Sequence, residues 1–174
     1  MRSAASTSLT LWAAVILLVT SIGGASQGQA QDYQTSRYKD WTVRCQQRES
    51  LPSCDLYQTV IDQERQQQVM MVSLAYSEEL DKYAFQAVVP LGFLIQPGVL
   101  IRVDGERDFE DFKVTRCKDV GCFVEGIPSA EFLAAFSTGN SAQLIMLNEQ
   151  REPVGLPISL MGFKAALEEM LSKS

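Results

Sequence analysis

The sequence predicts a mainly β protein, an antiparallel β-sandwich or partly closed barrel that carries two short helices. Three observations lead there. Apolar residues recur at every second position in short runs. Turn signals return about every 8 to 12 residues. The period changes only twice, after Pro128 and near the C-terminus, to one that suits a helix. Strands do not alternate with long helices, so a doubly wound sheet is not expected.

The stretch from 87 to 104 organises the rest. Ala87, Val88 and Val89 end one run, which Pro90 stops because it has no N–H for a ladder. Val99, Ile101 and Val103 point one way and Leu100, Arg102 and Asp104 the other, the period of two that a half-buried strand needs. The other strands are expected to pack around this pair. Before it, residues 31–37 read as a loose, polar N-terminal arm. A first strand covers 38–46, a turn follows to Ser53, and Cys54, Leu56, Gln58 and Val60 line one face of a second strand. Residues 69–76 are apolar on both faces, as in an interior strand. Tyr83, Phe85, Ala87 and Val89 share an inward face.

After it, 105–108 is a turn, Phe112 and Val114 alternate with Lys113 and Thr115 up to Cys117, and extended chain restarts at Phe123. Ser129 starts a helix over 129–138 in which Phe132, Leu133 and Phe136 share a face, and Gly139 stops it. Residues 144–147 form a short strand. Val154, Leu156, Ile158 and Leu160 then define a strand that Pro157 assigns to a sheet edge. Phe163, Ala166, Leu167, Met170 and Leu171 follow the i, i+3, i+4 pattern of an amphipathic helix over 161–172, expected to cover a sheet edge or an open end of the core.

Arg2 is followed by no charge until Asp32, and Leu9 to Ile22 is an apolar run of signal-peptide length. Residues 1–30 therefore read as a signal peptide, cleaved after Ala30 with Ala25 as second choice, and 31–174 as one β domain. The expected locations are the periplasm, or a secreted or outer-membrane-associated state. Cys45, Cys54, Cys117 and Cys122 then meet an oxidising compartment and read as structural disulfides. Four cysteines allow three pairings, of which Cys45 with Cys54 and Cys117 with Cys122 is the simplest. Each such bridge would remove about 2–3 kcal/mol of unfolded-state freedom.

Composition removes several kinds of chemistry. The chain has no histidine, which excludes imidazole bases, His-activated nucleophiles and His-based zinc sites. A net charge of −6 with no basic stripe argues against nucleic acid. The clusters Glu78-Glu79, Asp104-Glu106-Asp108, Glu110-Asp111 and Glu168-Glu169 fall in turns or on a solvated helix face, and no linear spacing shows the facing carboxylates of a glycosidase. Asp104 to Asp108 lacks calcium-loop spacing. Ser36 and Lys39 match Ser-x-x-Lys by letters only. No catalytic, cofactor or metal residue is therefore assigned. Phe93, Leu94 and Ile95, between Pro90 and Pro97, either cap the core or form an exposed contact patch.

The whole of 31–174 resembles the invasion-associated locus B family. The matching features are Trp41-Thr42-Val43-x-Cys45, Cys54 followed by Gln58, Pro90-Leu91-Gly92 through Val103-Asp104, Cys117 with Gly121-Cys122, and Ser159-Leu160-x-Gly162-Phe163-x-x-Ala166-Leu167. The resemblance implies an exported protein of Gram-negative bacteria, mostly alphaproteobacteria, whose founding members are associated with entry into host cells such as erythrocytes. It supplies no catalytic residues, and the four cysteines transfer as disulfide partners only. The expected function is that of a non-enzymatic envelope protein binding an envelope or host-surface macromolecule, with peripheral membrane association as a further option. The alternative is a periplasmic sandwich for a small sugar or lipid. A hydrolase using carboxylates alone ranks third, and no cofactor is expected.

Overall fold

The computed structural model describes residues 34–46 and 54–173. The expected signal peptide over 1–30, the start of the polar arm and most of the 46–53 turn lie outside the described residues. The strands are β1 (Gln34–Tyr38), β2 (Trp41–Cys45), β3 (Cys54–Asp62), β4 (Gln67–Ser77), β5 (Lys82–Val89), β6 (Leu100–Val103), β7 (Arg107–Phe109), β8 (Lys113–Lys118), β9 (Gly121–Gly126), β10 (Ser141–Leu147) and β11 (Pro153–Ser159). The helices are α1 (Ala130–Thr138) and α2 (Phe163–Lys173). Both helices fall within a residue or two of the spans their apolar periods predict.

A seven-stranded sheet runs β1-β2-β3-β4-β5-β9-β8 and a four-stranded sheet runs β11-β10-β6-β7. Every pairing is antiparallel. The sheets form a sandwich with free edges and not a closed barrel, which settles the choice the sequence left open. β4 is interior and β11 is an edge, as their patterns indicate.

Two expectations are corrected. The arm is not loose where it is described: Gln34–Tyr38 pairs along its length with β2, and Lys39, at φ 53°, turns the chain between them. The runs on either side of Pro90 are not one central pair around which the other strands pack, because they lie in different sheets. β5 pairs with β4 and β9, whereas β6 pairs with β10 and β7, so the link between them carries the chain from one sheet to the other. β7 also went unseen in the sequence; it closes on β6 through Asp104 and Gly105, whose φ values of 49° and 78° suit a tight hairpin.

The inward faces obey the period of two. Trp41, Val43, Leu56, Met70, Val72, Leu74, Phe85, Ala87 and Val89 are buried from the large sheet. Ile101, Val103, Leu144, Met146 and Ile158 are buried from the small one. α1 links β9 to β10 and contributes the centre of the core. Its N-cap Ser129 accepts a hydrogen bond from the Phe132 N–H at 3.1 Å. Phe132 then meets Phe85, Phe109, Phe112 and Phe136 at centroid distances of 5.5, 5.2, 4.8 and 4.1 Å. Each such ring pair contributes about 0.5–1.5 kcal/mol beyond its buried area.

Gly139 ends α1, as its position suggests, and does so in extended backbone. A Cβ there would sit 2.9 Å from the Ala135 carbonyl, Leu160 and Val103, so the requirement is space. α2 packs back on β1, β2 and β3, burying Phe163, Ala166 and Met170. The cysteines pair locally, Cys45 with Cys54 and Cys117 with Cys122.

Candidate functional site

The small sheet has two ends of opposite character. At one, Ser159 is a junction. Gln58, 5% exposed, reaches it from β3: its side-chain carbonyl accepts from the Ser159 N–H and its amide donates to the Ser159 carbonyl, both at 2.9 Å. The Trp41 indole N–H donates to the same carbonyl at 2.8 Å. The Ser159 hydroxyl donates to Asp40 at 2.6 Å, and the Asp40 N–H donates to the Met161 carbonyl at 3.3 Å. Asp104 caps the neighbouring corner, accepting from the Asn140 and Ser141 N–H groups at 3.0 Å. The Ser141 and Asn140 bonds hold its carboxyl below the usual carboxylate range.

At the other end lies the link from 90 to 99. Phe93 bridges to Asn148 and is half-buried against the core, and the Leu94 N–H donates to the Leu147 carbonyl at 2.8 Å. Ile95 is 53% exposed and Leu91, which the sequence reading passed over, is 55% exposed. The three residues singled out thus divide: Phe93 and Leu94 dock, and Ile95 faces solvent with Leu91. Position relative to Gly92, which takes φ 99°, decides this, and no periodicity announces it. Beside the link is a cavity of about 470 Å³. Pro97, Val99, Leu100, Phe112, Ile145 and Met146 make its lining largely apolar, with Glu110 and Lys113 as its charged residues. A second depression, of about 440 Å³, lies at the tied end, where Arg102, Asp104, Asn140 and Gln143 share its lining with Pro157 and Ile158.

The outward face of the large sheet carries paired charge. Arg44 forms a two-bond pair with Asp55 at 3.0 and 2.7 Å and lies over the Tyr57 ring. Glu125 accepts from Thr115, from Arg116 at 2.7 Å and from Gln86 at 2.6 Å. The Thr115 hydroxyl, with Arg116 and Gln86, holds its carboxyl low. Arg102 does the same for Asp108, and Lys173 for Glu169. Among the described residues the four displaced carboxyls, Asp104, Asp108, Glu125 and Glu169, all move downward, the opposite of what a general acid at neutral pH needs. Among the described residues, no group of three His, Cys, Asp or Glu side chains could hold a metal ion. Ser36 lies in edge strand β1 and Lys39 in the turn after it. Asp104 and Asp108 belong to a hairpin whose carboxylates are spent on backbone N–H groups and Arg102.

Comparison with known proteins gives a consistent result. The family model described as Invasion associated locus B (IalB) protein matches residues 41–171. An invasion protein B homolog of Brucella abortus strain 2308 is 26% identical over 149 residues, covering 85% of this chain and 82% of the relative. A second homolog, from Brucella abortus biovar 1 strain 9-941, gives the same figures. The crystal structure of invasion associated protein B from Bartonella henselae matches with a TM-score of 0.73 at 23% identity, covering 80% of this chain and 96% of that one. At that identity the likeness speaks to the fold.

Proposed function

The chain belongs to the Invasion associated locus B family, and on that premise we propose that it is an exported, non-enzymatic protein of the bacterial cell envelope that binds a macromolecular partner through an exposed surface. The observation that carries the reading is the link between the sheets. Leu91 and Ile95 stand more than half exposed on it beside an apolar cavity, a place where large apolar side chains mark an interaction site. Two closed cysteine pairs support an oxidising compartment such as the periplasm or cell surface. Among the described residues no helix is long and apolar enough to cross a membrane. The absence of histidine and the downward-shifted carboxyls support binding over bond-making.

The experiment is fractionation of cells expressing the tagged chain, with crosslinking in intact cells and capture from envelopes. The expected result is a processed, oxidised protein released with the envelope fraction and one specific crosslinked partner, lost in the Leu91→Ser, Ile95→Ser double variant. Recovery of unprocessed chain with free thiols in the cytoplasm overturns the reading, as does capture unaffected by the variant.

The cavity itself favours a second reading, a small apolar ligand such as a lipid acyl chain, because its size falls in the range of small-molecule sites and its lining is apolar. Native mass spectrometry of protein purified from envelopes separates the two: a bound lipid released by Ile145→Trp supports the second.

A further inference from the structure

Both cysteine pairs join residues directly opposed on neighbouring antiparallel strands, Cys45 with Cys54 on β2 and β3, and Cys117 with Cys122 on β8 and β9. Their surroundings differ in a way that decides reactivity. A thiolate breaks a disulfide by attacking one sulfur from the side opposite the other, so what matters is what lies behind each sulfur along the ladder. Behind Cys45 is β1, whose Gln34 is its register partner, and behind Cys54 is β4. Cys54 is 1% exposed, and the carbonyl of Lys173 at the end of α2 lies 3.6 Å from its sulfur. Cys45 is partly exposed, yet among the described residues a neighbouring strand flanks each side of this strand pair.

Among the described residues β8 is the last strand of the seven-stranded sheet, with no strand paired beyond it. Cys117 is exposed there, while Cys122 is 7% exposed and packs into the core beside Val89. The far side of the Cys117 sulfur therefore faces an open sheet edge, and only that sulfur can be approached in line. Next to it the β8–β9 register slips between Val114 and Arg116, and the tip of the hairpin presents Val120 at 74% exposure.

We propose that Cys117–Cys122 is a thiol-exchange site, opened in the folded protein by an external dithiol protein, whereas Cys45–Cys54 is a permanent brace. One thiolate of the dithiol bonds to the Cys117 sulfur. The Cys117–Cys122 bond breaks, and Cys122 leaves with the electron pair and takes a proton from water. The second thiolate of the dithiol attacks its own partner sulfur and releases Cys117 as thiolate. The dithiol ends oxidised and the two cysteines reduced.

The test is a dithiothreitol titration of the full-length oxidised chain without denaturant, followed by alkylation and peptide mass analysis. The expected result is labelling of Cys117 and Cys122 at about tenfold less reductant than Cys45 and Cys54, with the circular dichroism unchanged at that stage. The Cys117→Ser, Cys122→Ser double variant should fold and keep the reduction midpoint of Cys45–Cys54. Simultaneous opening of both pairs, opening of Cys45–Cys54 first, or labelling only with loss of structure overturns the proposal.

Discussion

The two ends of the four-stranded sheet are made of the same strands, yet they are held in opposite ways. At the Ser159 end, side chains from β2 and β3, backbone groups after β11 and the Asp104 cap join in one set of hydrogen bonds. At the Leu100 end, one bridge at Phe93 and one bond from Leu94 hold a ten-residue link beside a cavity. Burial and polar satisfaction go to the end that locks the sheets together. Leu91 and Ile95 stand exposed at the end held by fewer bonds. This division is what a binding protein needs: a rigid scaffold and a presented segment.

Substitutions can break or sharpen that contrast. The largest effect is expected at Gly162, which takes φ 91° and where a Cβ would lie 2.1 Å from the Tyr38 carbonyl oxygen. Gly162→Ala should cost about 3–4 kcal/mol, read as a shift of the urea midpoint, because both the backbone shape and the contact are forbidden to alanine. Gln58→Leu comes next. It leaves the Ser159 N–H without its partner and should cost about 2 kcal/mol in the same assay. A cost near zero for either would mean the tied end is not tied.

A smaller, pH-dependent effect belongs to Asp104. Its folded carboxyl sits below the unfolded value, so its stabilising contribution is complete above the unfolded pKa and is lost as pH falls through the folded one. Asp104→Asn should therefore flatten the acid limb of the stability curve, with its cost largest at neutral pH and shrinking as pH falls through the folded pKa. An unchanged acid limb would detach this corner from the lock. The smallest effect on stability is expected at the open end: Leu91→Ser with Ile95→Ser should move it by no more than about 0.5 kcal/mol while abolishing partner capture.

Sequence patterns reached most of this architecture where burial is one-sided. β3, β5 and β6 show inward residues at every second position, and α1 and α2 show helical stripes, so their residues announce them. β1 and β7 do not, because exposed edge strands bury almost nothing: Gln34–Tyr38 has no fully buried residue and Arg107–Phe109 has one. The pairing of β6 with β10 was illegible for another reason. No local feature of Leu100–Val103 tells which distant strand will complete its ladder. The Ser159 junction was hidden inside the strand pattern, since Gln58 occupies an inward position and looks like an interruption until its partners are seen. At the open end, the chain separates docked Phe93 from exposed Ile95 by backbone direction alone.

The contact between Trp41 and Phe163, with ring centroids 5.1 Å apart, joins almost the first described residues to almost the last. α2 also covers β1, β2 and β3, so those strands lack one wall until the final residues arrive. A partly synthesised chain accordingly has no way to complete its fold ahead of time, whatever its earlier strands have paired. Closure over β1, β2 and β3 therefore waits for α2, and the wall laid down last along the chain is the one that fixes the first strands in place.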